Sequence, residues 1–283
     1  MRRAAGWWMG IVAGLALSAA ASEPAAPAKP AGIPEDVARQ ARVALDRGVR
    51  WLVARQHADG HWSNPDFPGL TALALWAVAR SGSADTNVTA KAVRYLLSCT
   101  HDDGSIWRKP HGKMRGGGLQ NYNTAVSMVG LFYSRDPAAI PAVQKAREYI
   151  AAAQYLGEGP NRGGMDYSPD NTNRPSADLS NSAWSYEAMR LTESVEDLRR
   201  SGERKADLDW AAAAEFVSRI QSLSSEDTPK RQGGFAYRTD LSPAGTSTNV
   251  HGEKRLRAYG SMTYAGLLSL IYAQVDRNDP RVK

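Results

Sequence analysis

Two kinds of apolar segment alternate along this chain. Helical runs with an aromatic anchor near their ends occur at residues 37–56 (Trp51), 91–96 (Tyr95), 145–150 (Tyr149) and 213–217 (Phe216). Between them lie four segments, about residues 70–80, 123–133, 180–191 and 261–273, that are rich in Ala, Leu, Met and Ser and apolar around most of a helical circumference. A helix apolar nearly all round is buried on both sides. The pattern therefore predicts an all-α fold of at least seven helices, an inner layer covered by an outer one, with essentially no sheet.

Each outer run ends in a similar turn. In residues 47–62, RGVRWLVARQHADGHW, a helix ending in Trp51, Leu52 and Gln56 meets Asp59 and Gly60 and then Trp62. Glycine takes the left-handed conformation that stops a helix. The Gln56 amide is expected to bond backbone groups left open at that helix end, with Trp62 packed over it. Trp51, Leu52, Gln56 and Trp62 should then be largely buried. The unit recurs: Tyr95 leads through Thr100 to Gly104 and Trp107, Tyr149 leads to Gln154 and Gly163-Gly164-Met165, and Phe216 leads to Gln221 and Gly233-Gly234-Phe235. The anchors are 44, 54 and 67 residues apart. Such elastic periods indicate stacked helical hairpins with insertions on one face.

Arg47, Gly48, Trp51, Leu52, Gln56, Gly60 and Trp62 resemble the QW repeat of squalene and other triterpene cyclases, shared more loosely with protein prenyltransferase β subunits. The resemblance runs from about Val37 to the C-terminus. It departs at Thr100 (for glutamine) and at Met165 and Phe235 (for the closing tryptophan). It implies an α/α toroid whose inner helices line a central cavity; an open α-solenoid of the same hairpins fits the pattern equally. Asp279 and Pro280 resemble Asp136 and Pro137, which introduce the third outer helix. The expectation is a chain of four hairpins that stops as a fifth begins, hence an incomplete ring.

Residues 1–21 read as a secretory signal: Arg2 and Arg3, an apolar core from Trp7 to Leu17, then Ala19, Ala20 and Ala21. The alternative is a membrane anchor, but the run is short of the ~20 residues a spanning helix needs. Residues 22–34 form an Ala/Pro-rich linker, leaving residues 35–283 as the repeat domain. An exported protein, periplasmic or extracellular, with no stable membrane span after cleavage is expected. The single cysteine, Cys99, allows no internal disulfide and reads as a small buried residue, or else a lone redox or metal group. The net charge of +6 falls to +4 without Arg2 and Arg3, and its basic residues are scattered, so no nucleic-acid surface is expected.

Candidate chemistry is sparse. The triterpene cyclases' DxDDTA motif has its nearest match in Asp178-Leu179-Ser180-Asn181-Ser182-Ala183. The family's proton donor falls on Ser180, a hydroxyl that cannot supply such a proton. Asp178 is the weak catalytic candidate, with capping of the third inner helix as its structural alternative. Prenyltransferases imply zinc, yet Cys99, His101, Asp102, Asp103 and His111 match neither that site nor common metal spacings. No metal and no cofactor is expected. What remains is a set of polar residues at the starts of inner helices: Asn121, Tyr122 and Asn123; Asp178, Ser180 and Asn181; Tyr259, Ser261 and Thr263. In a ring these starts converge on one mouth of the cavity, a default ligand site. The insert at 157–175, with Asn161, Asp166, Tyr167, Asp170 and Asn171, is placed to fold over it. The expected function is a non-catalytic binding or scaffold toroid for an isoprenoid, lipid or peptide. The alternative is a terpene cyclase or prenyl-transferring enzyme acting on an isoprenoid.

Overall fold

A computed structural model describes residues 32–82, 86–111, 118–169, 176–222, 233–249 and 251–282. The signal segment, most of the linker, Asp170 and Asn171 lie outside the described residues. The chain divides into two compact units, Met1–Val43 and Ala44–Lys283. Helix α1 (Glu35–Val53) spans that division, and none of its residues is fully buried. The second unit continues with α2 (Pro68–Arg80), α3 (Thr86–Leu97), α4 (Gln120–Ser134), α5 (Ile140–Ala153), α6 (Leu179–Leu191), α7 (Trp210–Arg219) and α8 (Gly260–Tyr272). Short 3₁₀ segments, Pro137–Ala139 and Glu193–Leu198, precede α5 and follow α6. Among the described residues the only sheet is an antiparallel pair, β1 (Thr246–Thr248) with β2 (Lys254–Leu256).

Helices α2, α4, α6 and α8 lie side by side in that order. Helix α3 packs on α2 and α4, α5 on α4 and α6, and α7 on α8. The cause is the one visible in the sequence. Helix α4 is buried from Asn123 through Leu131, all round, whereas α3 and α7 bury one stripe and keep charged residues on the other side.

The turns that join the layers are built by glycine and glutamine. Gln56 Nε2 donates to Gly60 O (3.0 Å) and to Val88 O in the first turn of α3 (2.9 Å). Gln154 Nε2 donates to Gly163 O and Asp209 O, both 3.0 Å, and its Oε1 accepts from the Asp209 N–H (2.8 Å). Gln221 Nε2 donates to Gly233 O (3.2 Å) and Arg281 O (2.8 Å). The glutamine therefore serves its own turn and the start of the next outer segment, not the open end of its own helix. Replacing Gln154 with leucine should cost about 2 kcal/mol in urea unfolding, from three hydrogen bonds at ~1 kcal/mol each less the apolar burial gained. A loss under 0.5 kcal/mol would remove the stitch from the list of stabilising contacts.

The residue that closes each turn has its backbone N–H bound by a hydroxyl of the following inner helix. Trp62 donates to Thr71 Oγ1 (3.0 Å), Ile106 to Thr124 Oγ1 (2.9 Å), Met165 to Ser182 Oγ (2.9 Å) and Phe235 to Thr263 Oγ1 (3.3 Å). This register corrects three expectations. The closing residue of the second turn is Ile106, fully buried, while Trp107 is half-buried and stacks on His101. The turn glycines equivalent to Gly60 and Gly104 are Gly163 and Gly233, which share their positive φ; Gly164 and Gly234 follow them. Trp51 is 54 % exposed under the Arg55 guanidinium, although its counterparts Tyr95, Tyr149 and Phe216 are buried. Tyr95 is held by the preceding hairpin, its hydroxyl donating to Pro65 O (2.6 Å); no described hairpin stands before Trp51. Trp62 does lie against the end of its own outer helix, its indole donating to Leu52 O (2.8 Å), and Leu52 and Gln56 are half-buried.

Candidate functional site

The loops after Met165 and Phe235 run past the N-termini of α4 and α6 and cap them. Leu179 N–H, opening α6, donates to Tyr237 O (2.9 Å), and Asn121 N–H, in the first turn of α4, to Tyr167 O (3.1 Å). Tyr167 and Tyr237 each stand two residues after a closing residue, Met165 or Phe235. Their hydroxyls meet at 2.7 Å. Beside them the Tyr122 hydroxyl is 2.5 Å from Ser180 Oγ, and its ring lies 6.3 Å from Trp184. Tyr259, at the start of α8, is half-buried and lies in the field of Asp178.

Asp178 sits beneath this group, wholly buried. It is the N-cap of α6: Oδ1 accepts from the Asn181 N–H and Oδ2 from Asn181 Nδ2, both at 2.8 Å. Burial pushes its carboxyl above the usual carboxylate range, against the opposing hydrogen bonds from Asn181 and from the Tyr237 hydroxyl. The phenols around it are shifted the same way. Burial raises Tyr122, burial and the bond to Tyr167 raise Tyr237, and burial followed by the Asp178 charge raises Tyr259. The group thus offers neutral hydroxyls and ring faces over a carboxyl already occupied by its own helix.

The other candidates separate into structural and accessible ones. Asn121 Nδ2 donates to Asp166 O. Asn123 joins two inner helices, its Oδ1 accepting from Gly69 N–H (2.8 Å) while Nδ2 donates to Gly118 O (2.7 Å). Thr263 holds Phe235, and Asn181 holds Asp178. These four are consumed by capping and register. Tyr122, Ser180, Tyr259 and Ser261 retain exposed surface. In the insert, Asp166 accepts from Ser176 N–H and Oγ, both 3.0 Å.

A second polar group on the inner helices was not anticipated. Glu187 accepts from the Tyr272 hydroxyl (3.0 Å), and burial raises its carboxyl. Trp76 stacks on Tyr133 (5.8 Å), over which lies the Arg80 guanidinium (5.2 Å). These residues come from α2, α4, α6 and α8. Their signal in the sequence is faint: Trp76 and Glu187 fall at the same distance after the hydroxyl, Thr71 or Ser182, that sets the register of their helix.

The would-be metal residues are dispersed. Cys99 is buried, accepting from Arg108 Nε (3.2 Å), His101 bonds Trp107 O, Asp103 accepts from Ser105, and His111 pairs with Asp66 (2.6 Å). Among the described residues no group of three or more His, Cys, Asp or Glu side chains is gathered to hold a metal, and no helix is long and apolar enough to cross a membrane.

No family model matches the chain, and no curated protein is similar to it. Among solved structures, the crystal structure of a protein from Actinoplanes is similar at 16 % identity over 86 % of each chain, with a TM-score of 0.30. A likeness that distant carries no argument about fold or function.

Proposed function

We propose that this chain is an exported, non-catalytic binding or scaffold protein on an α/α-toroid plan, which takes an isoprenoid, lipid or peptide at the tyrosine-rich starts of its inner helices. The observation that carries the reading is the use of Asp178. It is the acid nearest to a cyclase-type donor, and both of its oxygens are bound by the first turn of its own helix. A carboxyl so used has no proton aimed at a ligand. The phenols of Tyr122, Tyr167, Tyr237 and Tyr259 suit recognition by ring contact and hydrogen bonding better than proton transfer.

One observation favours the enzymatic alternative, a terpene cyclase: burial raises the Asp178 carboxyl, which is what a proton donor needs. The two readings separate on Asp178→Asn. As a cap, asparagine serves about as well as aspartate. The Asn181 Oδ1 atom, which has no partner among the described residues, can accept from the new amide if the Asn181 side chain flips. Asp178→Asn should therefore keep the fold and ligand binding, while Asp178→Ala should cost ~1 kcal/mol.

The pH dependence gives an independent check. A carboxyl raised in the folded state binds its proton more tightly there than in the unfolded chain, so stability falls as pH rises from near 3.8 through the folded value. Asp178→Asn should abolish that part of the slope. Incubation of the purified full chain with squalene and with farnesyl diphosphate should return both unchanged. A cyclised product lost on Asp178→Asn would establish the enzyme instead.

A further inference from the structure

The four hydroxyls that bind the closing residues place the inner helices in one register, so that Thr71, Thr124, Ser182 and Thr263 are equivalent positions. The interface between α2 and α4 can then be written in general terms. On α2 it uses Gly69, Ala72 and Trp76: Gly69 is bound by Asn123, Gly130 approaches Ala72, and Trp76 stacks on Tyr133. On α4 it uses Asn123, Val126, Gly130 and Tyr133.

Transferred in register, the α2 half of this interface corresponds on α8 to Ser261, Tyr264 and Leu268. All three are exposed, Tyr264 at 73 %, and Ile271 extends the same stripe. The α4 half corresponds on α2 to Leu70, Leu73, Ala77 and Arg80, and these are exposed too. Among the described residues, the exposed apolar faces of α2 and α8 are thus the two complementary halves of an interface that the chain already makes internally. Next to the α2 face, Trp51 and Leu52 join Leu70, Leu73 and Ala77 in a groove of about 660 Å³. The groove has room for a side chain as large as Tyr264, which replaces Ala72 in the transferred interface. It also contains Trp51, the one anchor of the series that is exposed.

We propose that copies of this chain associate head to tail, the α8 face of one copy (Tyr264, Leu268, Ile271) packing on the α2 face of the next (Leu70, Leu73) and covering Trp51. The contact joins two different surfaces, so it closes into a ring or runs on as a filament, and it is not a symmetric dimer contact. The proposal rests on the repeat register and is independent of the ligand reading.

The test uses the full chain by analytical ultracentrifugation with tryptophan fluorescence. The wild-type protein should show a mass that rises with concentration, with a blue shift as Trp51 is covered. Leu73→Asp and Tyr264→Asp each destroy one half of the contact at an exposed position, so each should be a folded monomer; Leu268→Asp is a second variant of the α8 face. Mixed in equal amounts, Leu73→Asp, with its α8 face intact, and Tyr264→Asp, with its α2 face intact, should form a 1:1 dimer that grows no further. A wild-type monomer at 100-fold the lowest concentration tested would overturn the proposal. So would self-association of either single-face variant on its own, the result expected for a symmetric contact, or a mixture of the two that stays monomeric, the result expected for faces reserved for another protein.

Discussion

Arg147→Met is expected to lower the stability of the fold by about 3–5 kcal/mol, the usual cost of removing one member of a buried ion pair. Arg147 lies on α5 and is 1 % exposed. Its Nε donates to Glu196 Oε1 (2.9 Å), Nη1 to Met189 O (2.5 Å) and Thr192 Oγ1 (2.8 Å), and Nη2 to Ala206 O (2.8 Å). One guanidinium therefore ties α5 to the end of α6, to the 3₁₀ segment that follows and to the segment leading into α7. Methionine fills part of the volume but takes a donor from the Met189 and Ala206 carbonyls, and leaves Glu196 with Arg199 (2.6 Å) and the Ala206 N–H (2.9 Å). Arg147→Lys should recover less than half of the loss, because an ammonium cannot reproduce the fork that reaches partners on three sides. Urea unfolding followed by circular dichroism measures both. A double-mutant cycle with Glu196→Gln should show the two losses to be less than additive, since either change disrupts the same pair. A cost for Arg147→Met below 1 kcal/mol would mean that solvent enters this network.

Neither partner of that pair is conspicuous in the sequence, and the reason is instructive. The alternation of helical runs with more apolar segments was legible, because burial on both sides of a layer writes itself into composition. Helix boundaries came out within three residues at every end of the inner segments. In the first turn the stop at Gly60 and the packing of Trp62 on its own helix were legible, whereas the exposure of Trp51 and the partners of Gln56 were not. In the later copies aromatic identity is a misleading guide. The closing residue stands two positions after the positive-φ glycine in all four turns, which selects Ile106 over Trp107 and Gly163 over Gly164. The hydroxyl register was hidden for a different reason. Trp62, Ile106, Met165 and Phe235 are separated from their hydroxyls by 9, 18, 17 and 28 residues, because the inserts differ in length. The same inserts carry Tyr167 and Tyr237 into one hydrogen bond across 70 residues. Local periodicity is blind to such pairs, and to Arg147 with Glu196, 49 residues apart. Site residues at helix starts were visible because polar residues interrupt an apolar run. Which of them are consumed as caps depends on partners that only the packed array supplies.

An effect of similar size should fall on Gly163. Alanine there is expected to cost about 3–5 kcal/mol and to lower the melting temperature by roughly 6–20 °C. Two penalties act together. The backbone has φ +97, where a side chain is strained by about 1–3 kcal/mol. An added Cβ would also stand 1.9 Å from Ala212 O and 2.3 Å from the carbonyl carbon, so one backbone must move away from the other. Ala212 is in the first turn of α7, where Gln154 and Asp209 already fix the spacing, so the shift would loosen that stitch as well. The same geometry recurs at Gly104 against Lys145 O (2.3 Å) and at Gly60 against Lys91 O (2.2 Å). These three turns bring the backbone of one outer helix onto the turn of the one before, an approach only glycine allows. Gly233 supplies the control: φ is +83, but an added Cβ would meet nothing within 4 Å. Gly233→Ala should therefore cost only the ~1–2 kcal/mol of the left-handed backbone. If calorimetry gave Gly163→Ala and Gly233→Ala equal losses, the close approach of successive outer helices would have to be abandoned as the source of the effect, leaving backbone conformation alone.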